Sequence, residues 1–254
     1  MANNTDNTLI ERLFNAGAHF GFSKSRRHPT VAPYLFGTKN GNDIFDLEKT
    51  AELIETAKAV VTEAGKNGKT VLFVGTKEEA SRLVREAAEK AEQPYVVNRW
   101  IGGMITNFGE IKKRIARLKE LNDEKESGEL ERKYTKKERV LFDREVDKLS
   151  FNFGGIKTIE RNPDLMIVVD PRHDAIAVTE AGEANIPVIG ITSSDANLGP
   201  ITHPVILNDA LQSSLSLAID ELAEAYVAGR KEYTPKPVAP RGGNARYRRP
   251  RDNA

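Results

Sequence analysis

Short apolar runs alternate with helical stripes along most of this chain, and that alternation limits the fold more than any other feature. Residues 71–74, 95–97, 165–169 and 188–191 are compact apolar runs with little polar interruption. Runs of that kind make strands buried on both faces. A helix pattern follows the first and the third of these runs. Ala80, Leu83, Val84, Ala87, Ala88 and Ala91 fall on one stripe, and residues 178–185 fill the helix after the third run. The last helix is expected over about 209–228, with Leu211, Leu215, Ile219, Leu222 and Tyr226 inward. Strands alternating with helices imply an α/β fold with a parallel sheet covered on both sides.

Ahead of this unit the pattern is smaller in scale. A first helix is expected from about Thr8 to Ala16, capped by Asp6 or Thr8. Residues 17–33 read as an irregular loop. A hairpin follows, from Tyr34-Leu35-Phe36 through Asn40-Gly41 to Ile44-Phe45. Leu47, Ala51, Ile54, Ala57, Val61 and Ala64 then recur at helical spacing up to Gly65 and Gly68.

The segment 105–153 breaks the rhythm. It is charged and helical, with Phe108, Ile111, Ile115 and Leu118 on one seam and Phe142, Val146, Leu149 and Phe153 on another. Ser127-Gly128 lies near the middle. A narrow apolar seam with charged outer faces predicts an inserted antiparallel α-helical hairpin, a protruding coiled coil. The expected organisation is a discontinuous α/β domain over 1–104 and 154–229, the hairpin over 105–153, and a tail over 230–254 rich in arginine, proline and glycine. That composition predicts disorder for the tail.

Charge is unevenly placed. The whole chain is +1, yet residues 230–254 hold eight Lys/Arg against Glu232 and Asp252, so the rest is net acidic. A basic tail on an acidic body predicts a polyanionic partner. The absence of cysteine excludes disulfides and cysteine metal sites. None of the four histidines, His19, His28, His173 and His203, forms a close pair, and no metal is expected. The polar first eight residues suggest no leader peptide, and no apolar run is long enough to span a bilayer.

Two places on the sheet invite a chemical reading. Val74-Gly75-Thr76-Lys77 ends a strand and opens a helix, where helix N–H groups can hold a phosphate. It has one glycine, and Glu78 and Glu79 follow the lysine, so the pattern suits a capped helix better than a phosphate loop. Asp170-Pro171-Arg172-His173-Asp174 ends another strand, and a crevice is expected there in open α/β sheets. Asp-Pro is also ordinary turn chemistry, Asp174 can cap the next helix, and no nucleophile is evident. An enzyme using Gly75, Lys77, Asp170 and His173 on a nucleotide or sugar phosphate is one reading. An RNA chaperone acting through the tail is a second.

The basic clusters favour a third reading, a nucleic-acid-bound assembly protein. Lys24, Arg26 and Arg27 lie in the loop. Arg99-Trp100 precedes Gly102-Gly103. Lys112, Lys113, Arg114, Arg117 and Lys119 crowd the rising arm helix; Lys136, Lys137 and Arg139 begin the returning one. Arg241, Arg246, Arg248, Arg249 and Arg251 mark the tail. Trp100 is expected to anchor the root of the arm.

The wording of several stretches is more specific. Ala16-Gly-Ala-His-Phe-Gly21, Ala32-Pro-Tyr-Leu-Phe-Gly37 and Leu72-Phe-Val-Gly-Thr-Lys77 come in order. Asn98-Arg-Trp-Ile-Gly-Gly103 runs to Thr106-Asn-Phe108 and Ile111-Lys-Lys-Arg-Ile115. Phe153-Gly-Gly-Ile-Lys157, Val168-Val-Asp-Pro-Arg172 and Ile186-Pro-Val-Ile189 complete the set. From about residue 8 to 228 the chain resembles the second protein of the bacterial small ribosomal subunit, the S-two family. The departures are Phe22, where that family has a second histidine, residues 193–195 after the strand at 188, and residues 207–211 before the last helix.

The resemblance implies a flavodoxin-like three-layer fold with an inserted hairpin, no catalysis and no cofactor. It implies a cytoplasmic, structural constituent of the small ribosomal subunit that supports translation. It implies binding of small-subunit rRNA between head and body, contact with neighbouring ribosomal proteins and, where one is present, the S-one protein, no membrane, and no homo-oligomer. The RNA contacts expected are the cations named above, except Lys119, together with Lys157.

Overall fold

The structure, a computed structural model, describes residues 8–233. The expected disorder of the tail and its five arginines therefore lie outside the described residues, apart from its first four positions. Helix α1 (Leu9–Asn15) is capped by Thr8, whose hydroxyl accepts from the Glu11 N–H at 3.4 Å. The segment after it is more regular than its sequence suggests. Strand β1 (Phe20–Ser23) joins β2 (Leu35–Lys39) and β3 (Asn42–Phe45) in an antiparallel sheet of order β1-β3-β2. Four residues with glycine at the second give a weak strand signal, and β1 exists because β3 supplies its partners.

Helix α2 (Leu47–Lys66), β4 (Val71–Val74), α3 (Glu78–Lys90) and β5 (Tyr95–Val96) open the main unit. The arm follows as α4 (Phe108–Glu126), α5 (Glu129–Lys133) and α6 (Lys136–Phe153). The chain then returns through β6 (Leu165–Val169), α7 (Ala175–Glu183), β7 (Val188–Thr192), β8 (His203–Ile206) and α8 (Gln212–Lys231). The main sheet is parallel throughout, in the order β5-β4-β6-β7-β8. Numbered within the sheet this is 2-1-3-4-5, the flavodoxin-like arrangement.

Strand β8 has no counterpart in the sequence reading. It contains Pro204, which cannot donate to a ladder and is tolerated because β8 is the edge. Helix α8 begins later and ends later than expected, so Arg230 and Lys231 continue a helix instead of opening the tail.

Period-two alternation within the strands explains the three layers. Val71, Phe73, Leu165, Ile167 and Ile189 face one core, built with α2, α3 and α8. Leu72, Val74, Met166, Val168 and Val188 face the other, closed by α7 and the root of the arm. Helices α2 and α8 approach so closely that a Cβ on Gly65 would sit 2.5 Å from the Tyr226 carbonyl oxygen. Only glycine fits there.

The arm carries the expected seam: Ile111, Leu118, Leu149 and Phe153 are buried, and Phe108, Ile115, Phe142 and Val146 pack against them. It is a hairpin with an extra turn. Gly128 takes φ 72°, which ends α4, and α5 tucks Leu130 inward before Thr135 and Glu138 cap α6 reciprocally. At 1.5 Å per residue α4 is roughly 28 Å long.

Candidate nucleic-acid interface

The root of the arm is built around a carboxylate that the sequence did not single out. Glu180 lies in α7 and is buried. Its oxygens accept from the Trp100 indole N–H at 3.1 Å, the Gly103 N–H at 2.8 Å, the Ile105 N–H at 3.0 Å and the Thr106 N–H and hydroxyl, each at 3.2 Å. Burial alone pushes the Glu180 carboxyl up, but these donors outweigh it and hold it below its ordinary value. Gly103 has φ 86°, a left-handed conformation that aims its N–H at Glu180. Trp100 is thus the anchor expected. On the other side, the Asn98 side chain donates to the Phe151 carbonyl at 2.6 Å, tying the root to the end of α6. Arg99 is exposed between these two ties.

The cations singled out in sequence fall into two groups. At the carboxyl edge of the sheet they are committed to carboxylates. Arg27 pairs with fully buried Asp43 and donates to the Thr38 hydroxyl at 2.9 Å. Arg26 lies over the Phe22 ring and shares Asp195 with Arg172. Lys24, nearby, is exposed. Lys77 donates to the Asp170 carboxylate and to the Asp209 carbonyl, both at 3.2 Å. Burial lowers the Lys77 ammonium, but the charges of Asp209 and Asp170 raise it further, so it is held charged.

Asp174 does not cap α7 through its side chain. Its carboxylate accepts from the Thr76 N–H and hydroxyl at 3.1 and 2.7 Å, which locks the turn after β4 to the turn after β6. Lys77 and Asp170 of the enzyme reading are therefore bonded to each other, and Asp174 ties down the turn beside them. His173 is exposed, with its backbone N–H on Asp170. Among the described residues no cluster of His, Asp or Glu could hold a metal ion.

On the arm the pairs are of another kind. Lys113 bonds Glu110 at 2.6 Å on exposed surface, while half-buried Arg117 bonds exposed Glu120 at 2.7 Å and half-buried Arg139 approaches exposed Glu131 at 3.6 Å. Lys112, Arg114, Lys119, Lys136, Lys137 and Lys157 are exposed and form no ion pair among the described residues. No helix among those residues is long and apolar enough to cross a membrane.

The fold and site define a flavodoxin-like α/β protein whose carboxyl-edge charges pair with one another and which carries a charged helical arm. The sequence comparisons agree. The family model described as ribosomal protein S2 matches residues 13–229. A small ribosomal subunit protein uS2 from Picosynechococcus is 39% identical over 221 residues, covering 87% of this chain and 86% of the relative. One from Desulfatibacillum aliphaticivorans is 41% identical, covering 87% and 75%; one from Coprothermobacter proteolyticus is 39% identical, covering 87% and 82%. The chain belongs to the ribosomal protein S2 family. It is a structural, non-enzymatic ribosomal protein of the small subunit, and its place is the cytoplasm.

Proposed function

We propose that the chain binds small-subunit rRNA between the head and body of the subunit, with the arm and its root as the main RNA-facing surface. The observation that carries this reading is the set of exposed cations, without an ion pair among the described residues, from Arg99 through Lys112, Arg114, Lys136 and Lys137 to Lys157. Each can meet a phosphate without abandoning a buried partner. Lys113, Arg117 and Arg139 can exchange a surface carboxylate for a phosphate at little cost. Lys24 and Arg26 flank this surface; Arg27 contributes through Asp43 by holding the loop that carries them. The tail arginines Arg241, Arg246, Arg248, Arg249 and Arg251 add phosphate contacts of the same kind.

A protein neighbour fits elsewhere. Phe14 and Phe20 are exposed and sandwich His19, with ring centroids 4.7 and 4.0 Å apart, and Phe36 is 81% exposed. Aromatic groups left in water in this way suit a protein partner, the S-one protein among them. The chain joins the subunit as a single copy. Sedimentation tests the reading: purified chain added to subunits lacking it is expected to co-migrate one to one, with retention falling steeply as salt rises. Salt-independent retention would contradict a phosphate-bound surface.

A further inference from the structure

A cleft of about 510 Å³ opens along the flank of α4, between that helix and the segment around Lys157 and Ile159. Its volume falls in the range of small-ligand sites. Residues 112, 115, 116, 119 and 123 recur at three and four along α4, so they share one flank beside the seam. The floor is apolar: Ile115, Leu118 and Ile159, of which the last two are buried. The rim is cationic, from Lys112, Lys119 and Lys157, against a single carboxylate, Asp123. These three lysines have no ion pair among the described residues, whereas Lys113, one position along the helix and outside the cleft, is bonded to Glu110.

A purely apolar occupant leaves the lysines idle, and a bare phosphate leaves the floor in water. An occupant with flat apolar faces and anionic edges uses both. We propose that this cleft receives one unpaired nucleotide of RNA, its base against Ile115, Leu118 and Ile159 and its flanking phosphates on Lys112, Lys119 and Lys157. Unpaired bases are the part of RNA that can be splayed out of the stack in this way. Asp123 at the rim can accept from an exocyclic amino group, which favours adenine, cytosine or guanine over uracil. The inference rests on the arm facing RNA, as proposed above, and adds a base pocket to a surface otherwise defined by phosphates.

The test uses the full chain and two probes, an oligoadenylate strand and a blunt RNA duplex of equal length, with affinity followed against salt. Ala116→Leu narrows the cleft without changing charge, at an exposed helical position that tolerates leucine. It is expected to weaken the single strand about fivefold to tenfold, leave the duplex unchanged, and leave the salt slope unchanged. Lys119→Ala is expected to flatten the single-strand slope by about 0.7. Lys113→Ala serves as the cation outside the cleft. Single-strand affinity unchanged in Ala116→Leu, with wild-type protein binding both probes, overturns the base pocket and leaves the RNA-facing arm standing. Failure of the wild-type chain to bind either probe removes the arm reading itself. If Ala116→Leu binds both probes normally yet is lost from small subunits, the cleft holds a protein segment and the proposal is wrong.

Discussion

The carboxyl edge of the sheet and the helical arm both present clusters of cations, and in sequence the two look alike. They differ in what stands behind each charge. At the edge, Arg27 answers a carboxylate with no exposure at all, and Arg26 and Arg172 converge on Asp195, whose side chain is 6% exposed. Moving either partner away would strand a buried charge, at a cost of several kcal/mol. On the arm, pairs such as Lys125–Asp143 join side chains that are both more than half exposed. Such pairs are worth about 0–1 kcal/mol and are screened by salt. A cation is available to a polyanion only when its present partner is cheap to leave. The edge is a clasp that closes the crevice of an enzyme-like fold, and the arm is the surface left open.

The largest effect expected is at the joint between these regions. Glu180→Ala leaves the buried Trp100 indole and Ile105 N–H, and the half-buried N–H groups of Gly103 and Thr106, without their acceptor. At about 1–3 kcal/mol for each unsatisfied group, the loss of stability should exceed about 3 kcal/mol in urea unfolding. Hydrogen exchange should rise first over 98–107. Glu180→Gln tests the charge. Because the Glu180 carboxyl is depressed in the folded state, its contribution is present above the unfolded value of about 4.3 and is lost as pH falls through the lower folded value. The gap between wild type and Glu180→Gln should be full at neutral pH and shrink in acid. A gap independent of pH would mean that the carboxylate does not bear the root.

The second expectation compares the regions directly. Replacing Lys112, Lys136 and Lys137 together by alanine should make the salt dependence of RNA binding shallower by roughly two to three units, with affinity down about a hundredfold at 0.1 M salt. Replacing Arg26 and Arg172 should change the slope little and instead lower the melting temperature, since Asp195 loses both partners. If the edge variant alters the slope as much as the arm variant, the division between clasp and open surface is wrong.

Much of this architecture was legible in sequence because it is carried by local pattern. The four apolar strand runs and the arm seam each announce themselves within a few residues, and the cap of the first helix is narrowed to Asp6 or Thr8. What stayed hidden depends on distant partners. Strand β1 is ordered by β3, and β8 holds a proline that only an edge position excuses. Glu180 sits in Ala177-Val178-Thr179-Glu180-Ala181, where nothing distinguishes it from a surface glutamate except five donors arriving from residues 100–106. Likewise Arg27 looks free until Asp43, sixteen residues on, is seen to face it. Motifs displayed which cations exist; only the fold shows which are spent.

The smallest effect concerns Asp209, at the edge. It is 1% exposed, and neither carboxylate oxygen has a hydrogen-bond partner. The Lys77 ammonium stands 3.7 Å away but is bonded elsewhere, to Asp170 and to the Asp209 carbonyl. Burial and the charge of Asp170 push the Asp209 carboxyl up to about 7, with Lys77 opposing them. Between its ordinary value of 3.8 and about 7, the folded chain keeps a proton that the unfolded chain has lost. The stability from this group is therefore complete below pH 4 and is lost as pH rises through 7. Asp209→Asn keeps the shape and removes the titration. Its melting temperature should be close to wild type at pH 5 and should exceed it at pH 8, by an amount corresponding to about 1–2 kcal/mol once solvent relaxation is allowed for. A difference that stays constant from pH 5 to pH 8 with Asp209→Asn the less stable would show that Asp209 is ionised and paired throughout, and the clasp would then extend across the whole edge with no weak member.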